Sequence, residues 1–448
     1  MCIRDSLHTT RGVNFSGLTT ANGLLTGTTN EFAHIRALEQ VTSGSVTAAA
    51  AAFANTEGLA KFLAAGFVAN SDGSARHNIS FRTLAGETGV TAANLKAAAA
   101  LTTGSIKADR VTNISGKAAD IISVFATTGI TDLGTAETIV VTDNPTVTQL
   151  NQILGLTTAP VTATITAAMS DLNALTETGN NITVSVTGDY TTAELTALQA
   201  KTIGTVTTNS GTTLTGTYAQ VNIALTLSDT GTKAAGMGAI NVTLTAADGT
   251  AADYTPTEIN TIDALTTGTI TASTAAATKA LLLDTANGGT NGLDKLDGVH
   301  NITIPTITDA SISAEQLNSL DAKTSLDITT AATEITGAPA AIVTAYASTS
   351  IKGLGNEAIT PTGAITVTQA NTLNALTPGV VTATISNTDM ATLAGLTLNL
   401  DANGVQVNDG ATPPVAVENV YTIAPAGVVS AAALTTLNTK SSANIDAT

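Results

Sequence analysis

The chain alternates two kinds of short segment. In the first, a hydroxyl residue precedes two apolar residues three positions apart, as in Thr191 followed by Leu195 and Leu198. In the second, apolar residues alternate with threonine, as in residues 161–165, Val-Thr-Ala-Thr-Ile. Apolar residues three apart share one face of a helix, and strict alternation buries one face of a strand. The pattern therefore predicts short helices and short strands in alternation.

Each predicted helical segment carries a start signal. A hydroxyl residue is followed three positions later by Glu or Gln, the capping box in which both side chains satisfy free amides of the first turn. The boxes are Thr191 with Glu194, Thr255 with Glu258, and Ser313 with Gln316. A cation, which the dipole favours at a helix end, follows at Lys201, Lys323 and Lys440. Helices of two or three turns are marginal in water, so we expect stacked neighbours to cover their apolar faces.

The strand-like segments recur along the chain. They span residues 161–165, 182–186, 240–244, 302–304 and 381–385. Further copies of the helical segment centre on Leu172 and Leu175, Leu373 and Leu376, and Leu434 and Leu437. The units return every roughly 20–30 residues, within super-repeats of roughly 60, and such periods are typical of repeat architectures.

This repetition predicts the fold class. Segments that cannot bury an apolar face alone become stable when stacked, and parallel stacking would align successive strands about 4.8 Å apart. We therefore predict an α/β solenoid of stacked short parallel strands and short helices, broadly like a leucine-rich repeat. The alternative is a row of tandem all-β immunoglobulin-like domains. The capped helices, the short period and the absence of Trp weigh against that alternative.

Three regions differ in how well they keep the pattern. Residues 1–6, Met-Cys-Ile-Arg-Asp-Ser, match no other part of the chain, and we interpret them as a non-native scar of sequence assembly on a fragment of a longer protein. Residues 7–89 are interpreted as diverged N-terminal repeats or a cap, with an Ala-rich helix over residues 46–69. Residues 90–448 hold the tandem repeats.

Composition and charge argue against several functions. Charged residues are 11% and aromatic residues 3% of the 448 residues, so aliphatic side chains must build the interior. The net charge is −17 and no basic run occurs, which argues against binding to nucleic acid or to an anionic membrane. The single cysteine, Cys2, allows no disulfide within the chain. No apolar run reaches the roughly 20 residues needed to span a bilayer.

Calcium is the one ligand that the sequence suggests. Two loops combine oxygen donors with glycines, a combination that suits hard cations. The candidate ligands are Asp284, Asp294, Asp297, Asp401, Asn403 and Asp409. Neither loop has the spacing of an EF-hand, and Asp, Asn and Gly are also the usual residues of structural turns. A calcium site and a plain turn therefore both stay open as interpretations.

The sequence offers no constellation for catalysis. The four histidines show no ligand spacing, and no Ser-His-Asp or Cys-His arrangement is evident. They are His8, His34, His77 and His300. A solenoid-shaped polysaccharide lyase would need carboxylates, basic groups and aromatics on one face, and this chain is poor in them. We therefore predict a protein without enzymatic activity and without a cofactor other than calcium.

The repeat units resemble those of a known group of proteins. Residues 193–202 (Ala-Glu-Leu-Thr-Ala-Leu-Gln-Ala-Lys-Thr), 316–324 (Gln-Leu-Asn-Ser-Leu-Asp-Ala-Lys-Thr) and 353–358 (Gly-Leu-Gly-Asn-Glu-Ala) are similar to units of very large Thr/Ala-rich repetitive cell-surface proteins of marine bacteria, cyanobacteria in particular. The resemblance covers roughly residues 90–448. It implies secretion or attachment at the cell surface, with roles in adhesion, motility or envelope structure, and it implies no catalytic residues.

Together these observations predict a structural or adhesive repeat protein that is extracellular or lies at the cell surface. Its expected partners are neighbouring repeats, other surface proteins and glycans, with no nucleic acid and no transmembrane segment. The alternative function is a calcium- or glycan-binding solenoid module, because solenoids commonly use their extended surfaces for binding.

Overall fold

The computed structural model describes an α/β protein built from short elements. The described residues are 47–53, 78–83, 89–100, 105–176, 179–229, 234–285, 288–399, 418–427, 429–443 and 445–446. Within them, helices of four to twelve residues alternate with strands that pair in parallel, and none of their sheets closes into a barrel. This parallel pairing disagrees with the immunoglobulin-like alternative, which requires antiparallel sheets.

The helices start where the sequence signals predict. The three predicted capping boxes are confirmed, and three further boxes start α3, α6 and α11 with the pairs Thr146–Gln149, Thr217–Gln220 and Thr366–Gln369. The helices in the described part are α1 (Ala92–Ala100), α2 (Ala118–Ala126), α3 (Val147–Leu154), α4 (Met169–Leu172), α5 (Thr192–Lys201), α6 (Tyr218–Asp229), α7 (Pro256–Asp263), α8 (Lys279–Leu282), α9 (Ala314–Asp321), α10 (Pro339–Ala347), α11 (Val367–Asn374), α12 (Met390–Leu393) and α13 (Ala431–Asn438).

The strands include all five predicted segments, with bounds that differ by at most a few residues. The strands in the described part are β1 (Thr47–Phe53), β2 (Asn78–Thr83), β3 (Gly89–Thr91), β4 (Ile106–Lys107), β5 (Asn113–Gly116), β6 (Ile130–Thr131), β7 (Thr138–Val141), β8 (Val161–Ala168), β9 (Asn181–Thr187), β10 (Tyr190–Thr191), β11 (Val206–Thr208), β12 (Thr213–Gly216), β13 (Ala234–Ala235), β14 (Asn241–Leu244), β15 (Ile270–Ser273), β16 (Asn301–Thr303), β17 (Ser311–Ser313), β18 (Ile328–Thr329), β19 (Glu334–Gly337), β20 (Ile351–Lys352), β21 (Ala358–Pro361), β22 (Ala364–Ile365), β23 (Thr382–Ile385) and β24 (Val420–Thr422).

The chain divides into two compact units. The first comprises Met1–Thr212 and Leu227–Met237. Its larger sheet has the order β13-β11-β9-β8-β7-β5-β3, and its smaller sheet has the order β1-β2-β4-β6. In-register pairing stacks buried aliphatic side chains in a column, namely Val90, Ile114, Ile139 and Val161. On the helical side, α1 packs on α2, and α2 packs on α3.

The second unit comprises Thr213–Thr226 and Gly238–Thr448. Its strands form the runs β12-β14-β15-β16, β17-β19-β21, β18-β20 and β22-β23-β24. Pairing of β17, β19 and β21 aligns three fully buried isoleucines, Ile312, Ile335 and Ile359. Helix α9 packs on α10, and α10 packs on α11. Each strand–helix segment therefore packs on the next segment along the chain.

The Ala-rich helix predicted over residues 46–69 is wrong for the part that the structure describes. Thr47–Phe53 form strand β1, which pairs in parallel with β2. Alanine favours a helix only weakly, and the backbone hydrogen bonds of a neighbouring strand override that preference. The rest of the predicted helix lies outside the described residues.

Buried hydroxyls join successive repeats, and they occupy a fixed place in the sequence. Each lies eleven residues after the N-cap residue of a helix, namely Thr146, Thr191, Thr255, Ser313, Thr366 and Ser430. Its Oγ donates to a backbone carbonyl 20 to 26 residues earlier and accepts the amide two residues later. We call these side chains the clamp hydroxyls. They are Thr157, Thr202, Thr266, Thr324, Thr377 and Ser441, and all are buried.

Asparagine amides join the same repeats in the opposite direction. Each lies five residues after the N-cap residue of helix α3, α7, α9 or α11. Each Nδ2 donates to a backbone carbonyl of a later repeat, from Asn151 to Ala174, from Asn260 to Gly292, from Asn318 to Ala341 and from Asn371 to Gly395. Backbone carbonyls of the later repeat are thereby bonded to side chains of the earlier one.

The lysines predicted near the helix ends have a further role. Lys201 is the last residue of α5, as predicted, and Lys323 follows the end of α9. Both ammonium groups donate to backbone carbonyls of the preceding repeat, Lys201 to Asn173 and Lys323 to Leu296. The lysines therefore add a third bond between repeats to those of the hydroxyls and amides.

Removal of one clamp hydroxyl should destabilise the second unit. Thr324 Oγ1 donates to the Ile302 carbonyl at 2.9 Å and accepts the amides of Ile302 and Leu326. Thr324→Val leaves these buried groups without their partner, so we expect a loss of about 1–3 kcal/mol in the free energy of unfolding, measured by urea denaturation. Thr303→Val, on the exposed side of β16, is the matched control and should change stability little. Equal effects of both substitutions would contradict a role for the clamp.

Candidate functional site

The structure describes three of the six predicted calcium ligands. Asp284 is buried and has a positive φ of 51°. Asp294 lies in a 3₁₀ turn, where its Oδ2 is 2.7 Å from Lys295 Nζ. Asp297 is exposed. Among the described residues, no group of three or more His, Cys, Asp or Glu side chains is arranged to hold a metal ion.

The second predicted calcium loop cannot be compared with the structure. Its three candidate ligands, Asp401, Asn403 and Asp409, lie outside the described residues. In the first loop, the carboxylate of Asp294 already faces an ammonium group, and the Asp297 amide is bonded to the carboxylate of Asp263. Those contacts fit a structural turn, and calcium binding stays a prediction.

A buried histidine–aspartate pair lies beside this loop and was not predicted. His300 and Asp263 are 2% and 7% exposed. His300 Nε2 is 2.9 Å from Asp263 Oδ1, although its N–H does not point along that line. The other ring nitrogen, Nδ1, accepts the Ile270 amide at 3.0 Å, and Asp263 Oδ2 accepts the Asp297 amide at 2.6 Å. The pair thus connects the end of α7, the starts of β15 and β16, and the loop between them.

Other repeats place amide side chains where this repeat has His300. His300 immediately precedes β16, as Asn180 precedes β9 and Asn419 precedes β24. Asn180 Oδ1 accepts the Val161 amide, and Asn419 Oδ1 accepts the Val381 amide, both at 2.8 Å. In each case the side chain accepts the amide of the residue that faces it on the preceding strand segment.

The partner of His300 has an equivalent as well. Asp263 is the last residue of α7, and Asn374 is the last residue of α11. Asn419 Nδ2 donates to Asn374 Oδ1 at 2.6 Å, between two buried side chains. The Asp263–His300 pair is therefore an ionisable version of the Asn374–Asn419 pair. The sequence shows no local partner for His300, because Asp263 is distant along the chain.

Two buried glutamates occupy the corresponding position before β7 and β21. Glu357 Oε2 accepts the Gly355 amide at 2.7 Å and the Tyr346 hydroxyl at 2.8 Å. Burial raises the pKa of Tyr346 well above its usual value, and the adjacent carboxylate of Glu357 adds to this effect. The hydroxyl therefore stays protonated and acts as a donor. The Glu357 carboxylate is thus satisfied by groups of the helix and turn that directly precede β21.

The earlier copy of this arrangement lacks the hydroxyl. Phe125 occupies in α2 the position that Tyr346 occupies in α10. Glu137, which is 4% exposed, accepts the Gly134 amide through Oε1, while its Oε2 is buried without a hydrogen-bond partner. At the Phe125 and Tyr346 position the two copies thus differ by one hydroxyl, which satisfies the buried carboxylate of Glu357.

A groove in the first unit contains no ionisable side chain. It has a volume of about 470 Å³ and is lined by residues 154–160 with Thr135, Gly179 and Asn180. The Thr157 hydroxyl donates to the Glu137 carbonyl and the Thr158 hydroxyl to the Thr135 carbonyl, so their hydrogens are used within the fold. The groove therefore offers shape and a few polar atoms but no group for acid–base or nucleophilic chemistry.

Hydroxyl side chains form rows on the outer side of the larger sheet in the first unit. Alternation of β8 places every second side chain outside, and the register sets these residues beside their counterparts on β9 and β11. Neighbouring strands lie about 4.8 Å apart, so the rows have a regular spacing. We call this surface the hydroxyl face. It consists of Thr162, Thr164, Thr166, Thr183, Ser185 and Thr207, of which the first three are exposed and the others half-buried.

Comparisons with known proteins found no match: no family model, no curated protein and no solved structure matches the chain. Within the described residues, none of the helices has the length and apolar character needed to cross a membrane.

Removing the tyrosine hydroxyl at the Glu357 site and adding one at the Glu137 site should change stability in opposite directions. Tyr346→Phe removes a donor from the buried Glu357, so we expect a loss of about 1–3 kcal/mol in the free energy of unfolding. Phe125→Tyr supplies a donor to Glu137 Oε2, so we expect a gain of about 0.5–1.5 kcal/mol. Urea denaturation of both variants measures the changes. If both substitutions shift stability in the same direction, the two sites are not equivalent.

Proposed function

We propose that the chain is a non-enzymatic structural or adhesive repeat protein of the cell surface or extracellular space. In this proposal the repeats stack as an α/β solenoid. The main observation behind this proposal is the in-register pairing of strands from successive repeats. This pairing places the outward-facing hydroxyls of one strand beside those of the next strand. The resemblance of the repeat units to repetitive surface proteins of marine bacteria supports the same function.

Bonds between repeats support the solenoid part of the proposal. Clamp hydroxyls, amides and ammonium groups of one repeat satisfy the backbone of another that lies 20 to 32 residues away. A repeat held in this way depends on its neighbours for stability, and such stacking can extend along an axis. The likeness to leucine-rich repeats rests only on the alternation of short strands and short helices.

The chemistry of the surface supports an adhesive role. Hydroxyls are neutral donors and acceptors, and a regular array of them can make many weak bonds at once. Glycans present the same chemistry in return. The net charge of −17 makes nucleic acid an unfavourable partner. We therefore propose glycans and other surface proteins as the partners of the hydroxyl face.

Retention of protein-coated microspheres on a polysaccharide surface under flow tests this function. Thr162→Val, Thr164→Val and Thr166→Val together remove three exposed hydroxyls while keeping the branched side-chain shape. Since each lost hydrogen bond is worth about 0.5–1.5 kcal/mol, we expect retention to fall about tenfold or more. The matched control replaces three exposed helical threonines, Thr344, Thr368 and Thr372, by Val and should retain normally.

Addition and removal of calcium distinguish the alternative function in the same assay. Under the proposal, retention and melting temperature do not depend on calcium. A ligand that binds only the folded form raises its stability, so a calcium-dependent melting temperature would favour the calcium-binding module. Loss of retention in the helical control, or no loss in the strand variant, would overturn the adhesive role of the hydroxyl face.

A further inference from the structure

We propose that the Asp263–His300 pair is an acid-sensitive latch within the second unit, and that protonation of His300 opens the contact between β15 and β16. This inference does not depend on the proposed function. It rests on the hydrogen bonds of a buried imidazole, and on the amide side chains that replace this imidazole in other repeats.

The closed state requires a neutral imidazole with one defined tautomer. His300 Nδ1 accepts the Ile270 amide at 3.0 Å, so this nitrogen carries no proton. The proton of the neutral ring is therefore on Nε2, which lies 2.9 Å from Asp263 Oδ1 without a hydrogen bond between them. With 2% of the residue exposed, water does not reach the ring to replace either contact.

A second proton on the ring would break the closed arrangement. It would have to bind at Nδ1, where the new ring N–H and the N–H of Ile270 would then face each other. The Ile270 amide would lose its acceptor in a buried position, which is a large cost for a backbone group. In the open segment the imidazolium is hydrated and the amide bonds to water. The open state thus binds one proton more than the closed state, so acid favours opening.

The charged groups around His300 do not remove this conflict. Asp263 favours an imidazolium, but it faces the nitrogen that already carries a proton, and its second oxygen is held by the Asp297 amide. Asp294 is paired with Lys295. The Lys323 carbonyl accepts the His300 amide, and its ammonium group, bonded to the Leu296 carbonyl, disfavours a second cation nearby.

The two equivalent positions that hold asparagine lack this sensitivity. Asn180 and Asn419 accept the facing amide through a carboxamide oxygen, which does not change its protonation near neutral pH. His300 is the one histidine among the described residues. Acid should therefore loosen one place in the second unit, from the end of α7 through the 3₁₀ turn Leu293–Lys295 to β16, before it affects other repeats.

Amide hydrogen exchange measured by NMR at pH 7.5 and pH 5.0, corrected for intrinsic exchange rates, tests the latch. An exposed histidine titrates near pH 6.5, so one additional proton in the open state predicts that the protection of the Ile270 amide falls about 30-fold at pH 5.0. The Val381 amide, bonded to Asn419, is the internal control and should keep its protection. Unchanged or increased protection of Ile270 at pH 5.0 would overturn the proposal, as would an equal loss at Val381.

A double substitution converts the latch into the pair found elsewhere in the same unit. Asp263→Asn with His300→Asn reproduces the Asn374–Asn419 pair, and the new carboxamide oxygen can accept the Ile270 amide. In this variant the protection of Ile270 should be the same at both pH values. A variant that folds and still loses protection at pH 5.0 would show that another group causes the opening. The comparison of Ile270 with Val381 in the unchanged chain decides the question if the variant does not fold.

Discussion

Hydrogen bonds from side chains of one repeat to the backbone of another are the interaction on which the described structure depends. The clamp hydroxyl is the clearest case, because one buried oxygen can donate to the strand segment of the previous repeat and also fix its own turn. Thr324 uses all three hydrogen-bonding positions of its hydroxyl in this way. A single repeat, with its short helix, short strand and few aromatic residues, buries little area. Its turns must therefore be ordered by hydrogen bonds from neighbouring repeats. Stacking supplies that order, and it also aligns the outer hydroxyls in rows.

The same constraint explains the unusual interior. Positions just before a strand face the preceding repeat, and they hold buried polar residues such as Glu137, Glu357, His300 and Asn419. Each can satisfy a backbone amide that parallel pairing leaves without a strand partner or turn partner. These backbone amides need only a hydrogen-bond acceptor. The side chain at this position can therefore be an amide, a carboxylate or an imidazole. In the latch proposed above, the imidazole of His300 makes one repeat responsive to acid, whereas the amide of Asn419 does not.

The sequence predicts the structural features that depend on residues close together along the chain. Capping boxes and alternating strands involve residues a few positions apart, and both are confirmed. The box at Thr366 was missed because the pattern paired Leu373 with Leu376, whereas α11 buries Ala370 with Leu373, and alanine is a weak apolar signal. Clamp threonines resemble surface threonines until the fold brings a distant carbonyl to them. For the same reason no local pattern indicates that His300 has a partner, and the calcium prediction rests only on oxygen donors and glycines that share a loop.

Cysteine cross-linking across β8 and β9 tests the stacking of repeats most directly. In a Cys2→Ser background, Thr164→Cys with Thr183→Cys places thiols on facing residues of paired strands, at a spacing of about 4.8 Å that suits a disulfide. Thr166→Cys with Thr207→Cys is the control, because both residues face Ser185 from opposite sides and lie about two strand spacings apart. Stacked repeats predict rapid disulfide formation in the first pair only, seen by mass spectrometry of linked peptides. Absence of that link, or faster linking of the control pair, would contradict the stacking.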